Sequence, residues 1–130
     1  MPTLRIVAAV IRDPDGRWLL VRKRGTTTYM QPGGKLEPGE SAADALVREL
    51  AEELGLRVEA AALGHVGRFT AAAANEPGHL VDADVFTVPS VAGPVDALAE
   101  IEEARWVAPH ELDGLPLAPL LREHLLPRTR

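Results

Sequence analysis

Glu52 and Glu53 lie three and four residues beyond Glu49, a spacing that puts all three carboxylates on one side of an α-helix. Like charges so close repel and weaken a helix. A divalent cation offsets that penalty, and an all-oxygen donor set suits Mg²⁺ or Mn²⁺. Arg48 lies four residues before Glu52 and next to Glu49, where a planar guanidinium can hold a carboxylate through two hydrogen bonds. Upstream stands Gly33-Gly34. Paired glycines bring backbone against an ion or a phosphate without a Cβ in the way. These residue types suit metal-assisted attack of water on phosphorus, with cations neutralising diphosphate charge and a nearby carboxylate taking the proton.

Such a cluster needs a rigid helix, and residues 41–54 predict one. Ala43, Leu46, Val47, Leu50 and Leu54 recur at three- and four-residue spacing as a buried stripe. Ser41 is a capping residue with Asp44 three positions on, and Gly55 is a terminator. Residues 4–11 read as a strand, Asp13-Pro14-Asp15-Gly16 as a turn, and residues 18–21 as the hairpin partner. Gly33-Gly34 reads as a glycine loop, residues 36–39 as irregular chain, and residues 58–70 as a bent strand or two short ones. Asn75-Glu76-Pro77-Gly78 is a turn before a strand over 80–88. A loop over 90–98, a short strand over 104–107, a helical turn from Pro109 and an amphipathic helix over 117–126, stopped by Pro127, complete the pattern. The pattern is mixed α/β with antiparallel hairpins and no βαβ repetition.

With 130 residues, one domain over 1–130 is expected. A formal net charge of -5 argues against a protein built to grip a nucleic-acid backbone. Zero cysteine removes disulfides, thiolate metal sites and cysteine nucleophiles. No apolar run reaches membrane-spanning length, residues 1–10 do not read as an export signal, and a cytoplasmic setting is expected.

The run Gly34-x5-Glu40-x7-Arg48-Glu49-Leu50-x-Glu52-Glu53-x-Gly55-Leu56 resembles the complete Nudix box of the Nudix hydrolases. The wider pattern resembles a small MutT-like member over essentially the whole chain. The resemblance implies an α/β/α sandwich around a curved mixed β-sheet, and a pyrophosphohydrolase that cleaves the diphosphate linkage of a nucleoside diphosphate derivative. It implies Mg²⁺ or Mn²⁺ as cofactor. Glu52 and Glu53 resemble core metal ligands, and Glu49 a further ligand or the general base. Gly33 holds the place of a backbone-carbonyl ligand. Arg48 would orient Glu49 or its neighbours, Glu40 would tie the loop to the helix, and Gly34 and Gly55 would keep loop and helix-end geometry. A carboxylate outside the box commonly completes such a site. Glu100 matches its position best, with Glu103 and then Glu102 as alternatives.

The box does not choose the substrate. A nucleoside triphosphate or modified nucleotide is expected, a small-molecule partner rather than nucleic acid. ADP-ribose, nucleotide sugars, dinucleoside polyphosphates, RNA 5′ ends and a sensing module without turnover are the alternatives. The proline and tyrosine that mark ADP-ribose and diadenosine polyphosphate hydrolases would fall within residues 71–74, which are all alanine. The asparagine some MutT-like proteins carry near the last helix is missing from residues 117–120. Arg22, Lys23 and Arg24 end a strand where they could meet phosphates, while Tyr29, Met30 and Gln31 could line a base pocket. Arg22, Arg24, Tyr29 and Gln31 are taken as the substrate-binding candidates. Phe69, Phe86 and Trp106 read as packing residues before stacking ones, and His65 and His79 lack a persuasive metal-ligand partner. A homodimer is the expected assembly, the N-terminal strand being an edge that could pair.

Overall fold

The computed structural model describes residues 2–89 and 95–129; part of the loop expected over 90–98 lies outside them. Among the described residues seven strands form two sheets: β1 (Thr3–Val10), β2 (Trp18–Lys23), β3 (Tyr29–Met30), β4 (Gly33–Lys35), β5 (Gly64–Ala72), β6 (Leu80–Thr87) and β7 (Ile101–Val107). The larger sheet runs β4-β1-β6-β5 and the smaller β3-β2-β7. β1 and β6 are parallel, and the other pairings are antiparallel. Helix α1 (Ala42–Leu54) lies on one face. A wide terminal turn, Leu120–Leu125, covers the other and leads into α2 (Leu126–Thr129).

The nearly unbroken apolar runs of β1 and β2 follow from burial on both faces. Val7 and Ala9, with Leu19 and Val21, meet Leu46, Leu50 and Leu54 of α1. Ala8, Trp18 and Leu20 point the opposite way, toward Leu120, Leu121 and Leu125. The result is the expected α/β/α layering. Among the described residues no helix is long and apolar enough to cross a membrane.

Three sequence expectations are corrected. β1 and β2 do not form a hairpin within one sheet. β1 is flanked by β4 and β6, and β2 by β3 and β7, so the two chains meet at the mouth of the turn and then diverge. There Leu19 N–H donates to Ile11 O at 2.9 Å. Gly33 and Gly34 are not a loop but the body of β4, paired with Ala8 and Val7. A Cβ on Gly33 would sit 2.0 Å from the Val7 carbonyl oxygen, so only glycine lets this strand approach so closely. The terminal helix begins late and is not stopped by Pro127. Pro116–Ala118 instead adds an extended edge to Tyr29, through Tyr29 N–H to Pro116 O and Ala118 N–H to Tyr29 O. The wide turn follows, with Leu126 N–H reaching back five residues to Leu121 O. Pro127 then falls where the wide turn passes without a break into α2, and the helical run continues beyond it to Thr129.

α1 forms as its sequence dictates. Ser41 Oγ accepts the Asp44 N–H at 3.1 Å. Gly55 closes the helix at φ 66°, its N–H on Ala51 O, while Leu56 N–H reaches Leu50 O. A Cβ at Gly55 would come within 2.8 Å of the Asp96 carboxylate, in a backbone region that L-residues resist. Gly55→Ala is therefore expected to lower unfolding free energy by about 1–2 kcal/mol. Urea unfolding should show a lower midpoint at unchanged slope.

Candidate active site

The three glutamates of α1 are not equivalent once the helix is docked. The stripe Leu46-Leu50-Leu54 rolls the helix so that Glu53 enters the interior, only 2 % exposed. Glu49, one turn earlier, lies at the rim with its side chain mostly covered, and the Glu52 side chain is half exposed. Glu53 Oε1 accepts the Gly33 N–H at 3.0 Å. Its Oε2 is buried with no hydrogen-bond partner among the described residues. Leaving such an atom unsatisfied costs about 1–3 kcal/mol, more when the group is charged. Burial pushes the Glu53 carboxyl up to about 8; Glu49 and Glu100 push the same way, while the Gly33 N–H and Lys23 oppose them. Burial also raises Glu49, against the pull of Arg48.

Arg48 organises the rim. It grips Glu40 with two arms, Nε to Oε2 at 2.6 Å and Nη2 to Oε1 at 2.9 Å. Its Nη1 reaches Glu49 at 2.9 Å and Glu52 at 3.3 Å, and Nη2 also reaches Lys35 O at 3.1 Å. These bonds hold the Glu40 carboxyl down to about 2, with help from the Glu37 N–H. One guanidinium thereby joins helix, β4 and the connecting loop. Gly34 completes the fit, since a Cβ there would fall 2.5–2.7 Å from the Glu49 carboxylate.

A cleft of about 350 Å³ opens beside this rim. Glu49, Glu100, Gly33, Gly34, Lys23 and Lys35 line one part, and Leu4, Ile6, Val81 and Leu120 line another. The three outer acids separate clearly. Glu100 faces the cleft, 3.4 Å from Lys23 Nζ. Glu102 pairs with Arg24 at the surface, and Glu103 accepts from Tyr29 Oη at 2.7 Å and from Arg22 at 3.3 Å. A bulge breaks the register between Arg22 and Lys23, which is why strand alternation could not rank the three.

Of the substrate candidates, Gln31 lines the cleft. Arg22, Arg24 and Tyr29 are not brought there; they serve the glutamates of β7. Lys23 and Lys35 are the cations the structure puts in the cleft instead. Phe86 and Trp106 pack beneath α1, and Phe69 lies under Arg128 with its ring 4.6 Å from the guanidinium. His65 pairs with Asp84 at 2.9 Å, and His79 meets Pro77 O. Asn75, in the β5–β6 turn, also lines the cleft. Sequence reasoning treated it as a turn residue, and no local signal distinguishes the two roles.

Residues 2–128 match the family model for the NUDIX domain. The chain belongs to the Nudix hydrolase family. A CTP pyrophosphohydrolase of Escherichia coli strain K12 is 36 % identical over 124 residues, 92 % of this chain and 86 % of that protein. An uncharacterised Nudix hydrolase, YvcI of Bacillus subtilis strain 168, is 29 % identical over 92 % of this chain and 75 % of that protein. The crystal structure of a MutT protein from Methanosarcina mazei Go1 superposes with a TM-score of 0.74 at 28 % identity, covering 89 % of this chain and 85 % of that one. The Nudix helix in these terms is α1, and the glycine strand packed against it is β4.

The donor chemistry fits a divalent cation: hard oxygens, a buried carboxylate oxygen without a partner among the described residues, and a glycine cradle at Glu49. Among the described residues no three acidic or imidazole side chains yet converge as a closed cage. Arg48 holds Glu49 and Glu52, and Lys23 holds Glu100, in ion pairs.

Glu53 makes the metal-free protein pH-sensitive. Its carboxyl titrates at an ordinary 4.5 when unfolded and near 8 when folded, so the folded state holds the proton longer. Stability therefore falls as pH rises from 4.5 and the loss is complete above about 8. Glu53→Gln, which needs no proton, should raise the metal-free Tm at pH 8.5 by about 5 °C or more and leave it nearly unchanged at pH 4.5. Calorimetry in EDTA at both pH values checks this.

Proposed function

We propose that the chain hydrolyses the diphosphate linkage of a nucleoside triphosphate or modified nucleotide, with water attacking phosphorus and a nucleoside monophosphate as product. The observation that carries the reading is Glu53 Oε2, a buried carboxylate oxygen with no partner among the described residues, beside a cleft that is acidic at the rim and apolar beyond. Glu53, Glu49, Glu52 and Glu100 would hold Mg²⁺ or Mn²⁺, which would supply charge neutralisation and an acidified water. The Gly33 N–H holds one Glu53 oxygen still, and Arg48 positions Glu49. Glu49, its side chain mostly covered, has a raised proton affinity, which suits it to take a proton from water as well as to ligate. Lys23 and Lys35 meet the phosphates, and the apolar part receives the base. The relative named as a CTP pyrophosphohydrolase supports a nucleotide of this size.

Glu53→Gln should abolish most Mg²⁺-dependent release of monophosphate from nucleoside triphosphates while the fold is retained. Full turnover by that variant at saturating Mg²⁺ would refute the assignment. Gly34→Ala should keep near-wild-type stability, because the Glu49 side chain can yield, yet lose roughly 10–100-fold in kcat. Steady-state kinetics paired with thermal unfolding separates the two effects.

A further inference from the structure

Glu100 is set at the cleft by a tight turn built on the end of α1. Leu98 N–H donates to Glu53 O at 2.8 Å, and Ile101 N–H to Leu98 O at 3.0 Å. Ala99, inside that turn, has a φ of 53°, a left-handed conformation that costs an L-residue energy. Such strain persists only where neighbouring contacts impose it. Arg24 N–H then donates to Glu100 O at 2.8 Å and ties the turn to the end of β2. The bulge completes the arrangement. Arg22 opposes Glu103, but Lys23 opposes Ile101, so Glu102 is skipped and Lys23 comes beside Glu100. Lys23 Nζ stands 3.4 Å from Glu100 Oε1, and both residues line the cleft.

A partly exposed pair of this kind adds little to stability. Its effect lies in where the positive charge sits. Arg48 holds Glu49 and Glu52, Lys23 holds Glu100, and the Lys23 charge also acts on buried Glu53. We propose that Lys23 is the positioning residue for Glu100: as a resident cation it holds this carboxylate at the cleft in the metal-free protein and competes with a divalent cation for it. This deepens the metal-dependent hydrolase reading and rests on it. A divalent cation on Glu100 repels the ammonium, which leaves Lys23 free for phosphate. The competition runs through one carboxylate, so removing Lys23 tightens metal binding only while Glu100 is present.

The test is calorimetric binding of Mn²⁺ alone, without nucleotide and at low ionic strength, to the full chain. The set is the wild type, Lys23→Met, Lys23→Arg, Glu100→Gln and the double variant Lys23→Met with Glu100→Gln. Methionine keeps the apolar stem of Lys23 and removes only its charge. Lys23→Met should bind Mn²⁺ about threefold or more tightly than the wild type, while Lys23→Arg, which keeps the charge, should stay within about twofold. On the Glu100→Gln background the gain from Lys23→Met should fall below about twofold. An unchanged or weaker Mn²⁺ affinity in Lys23→Met overturns the proposal. So does a gain of equal size on both backgrounds, which would mark a general field rather than competition for Glu100. Either result alongside Mn²⁺-dependent turnover of nucleoside triphosphates overturns this inference alone. Failure of the wild type and Lys23→Met alike to bind Mn²⁺ refutes it together with the metal-dependent reading.

Discussion

The burial of Glu53 is the constraint on which the rest of the site depends. Its carboxylate lies between α1 and β4, one oxygen on the Gly33 N–H and the other without a partner among the described residues. A carboxylate so placed either keeps its proton or acquires a cation. Leu46, Leu50 and Leu54 impose the placement, because docking that stripe on Val7 and Ala9 carries Glu53 inward. Truncating one such leucine to alanine costs about 2–5 kcal/mol, so the three together outweigh the roughly 1–3 kcal/mol of one unpaired neutral carboxyl group. Core packing therefore sets the position of the acid, and the acid's discomfort is left for a ligand to relieve.

The split of the sheet does the complementary work. β1 and β2 part after their turn, and the gap between them is filled by β4 on one side and by the β3 edge with Pro116–Ala118 on the other. The cleft is bounded by β1, β4, the β5–β6 turn and the terminal segment, with the acidic rim of α1 at its mouth. Arg48 then couples the rim to the frame. It binds Glu40, Glu49, Glu52 and the Lys35 carbonyl together, so the carboxylates are held before any cation arrives. The net charge of -5 is thus compatible with a polyanionic substrate, since a share of it faces the cleft as Glu49 and Glu100.

Much of this was legible in the sequence where spacing alone decides geometry. The stripe, cap and glycine stop of α1 are local, and the helix formed where they predicted. The ranking of the three glutamates was not legible, because it depends on how far the docked helix is rolled. Strand partners were misread for β1 and β2, since a turn signal identifies a reversal but not which edges stay free. The bulge near Lys23 hid Glu100 among its neighbours in the same way. Arg22, Arg24 and Tyr29 have the right chemistry for phosphate and base, and long-range pairing with Glu102 and Glu103 claims them instead. Asn75 offers the opposite case, a turn residue that the fold brings to the cleft wall.

The central claim is that Glu53 marks where a divalent cation is drawn into the protein. Thermal unfolding at pH 8 with and without millimolar Mg²⁺ tests it without any substrate. Binding to the folded state alone raises Tm by mass action. The wild-type chain should gain several degrees on adding Mg²⁺, and Glu53→Gln should gain almost none. An equal gain in both proteins, or none in the wild type, would contradict the account.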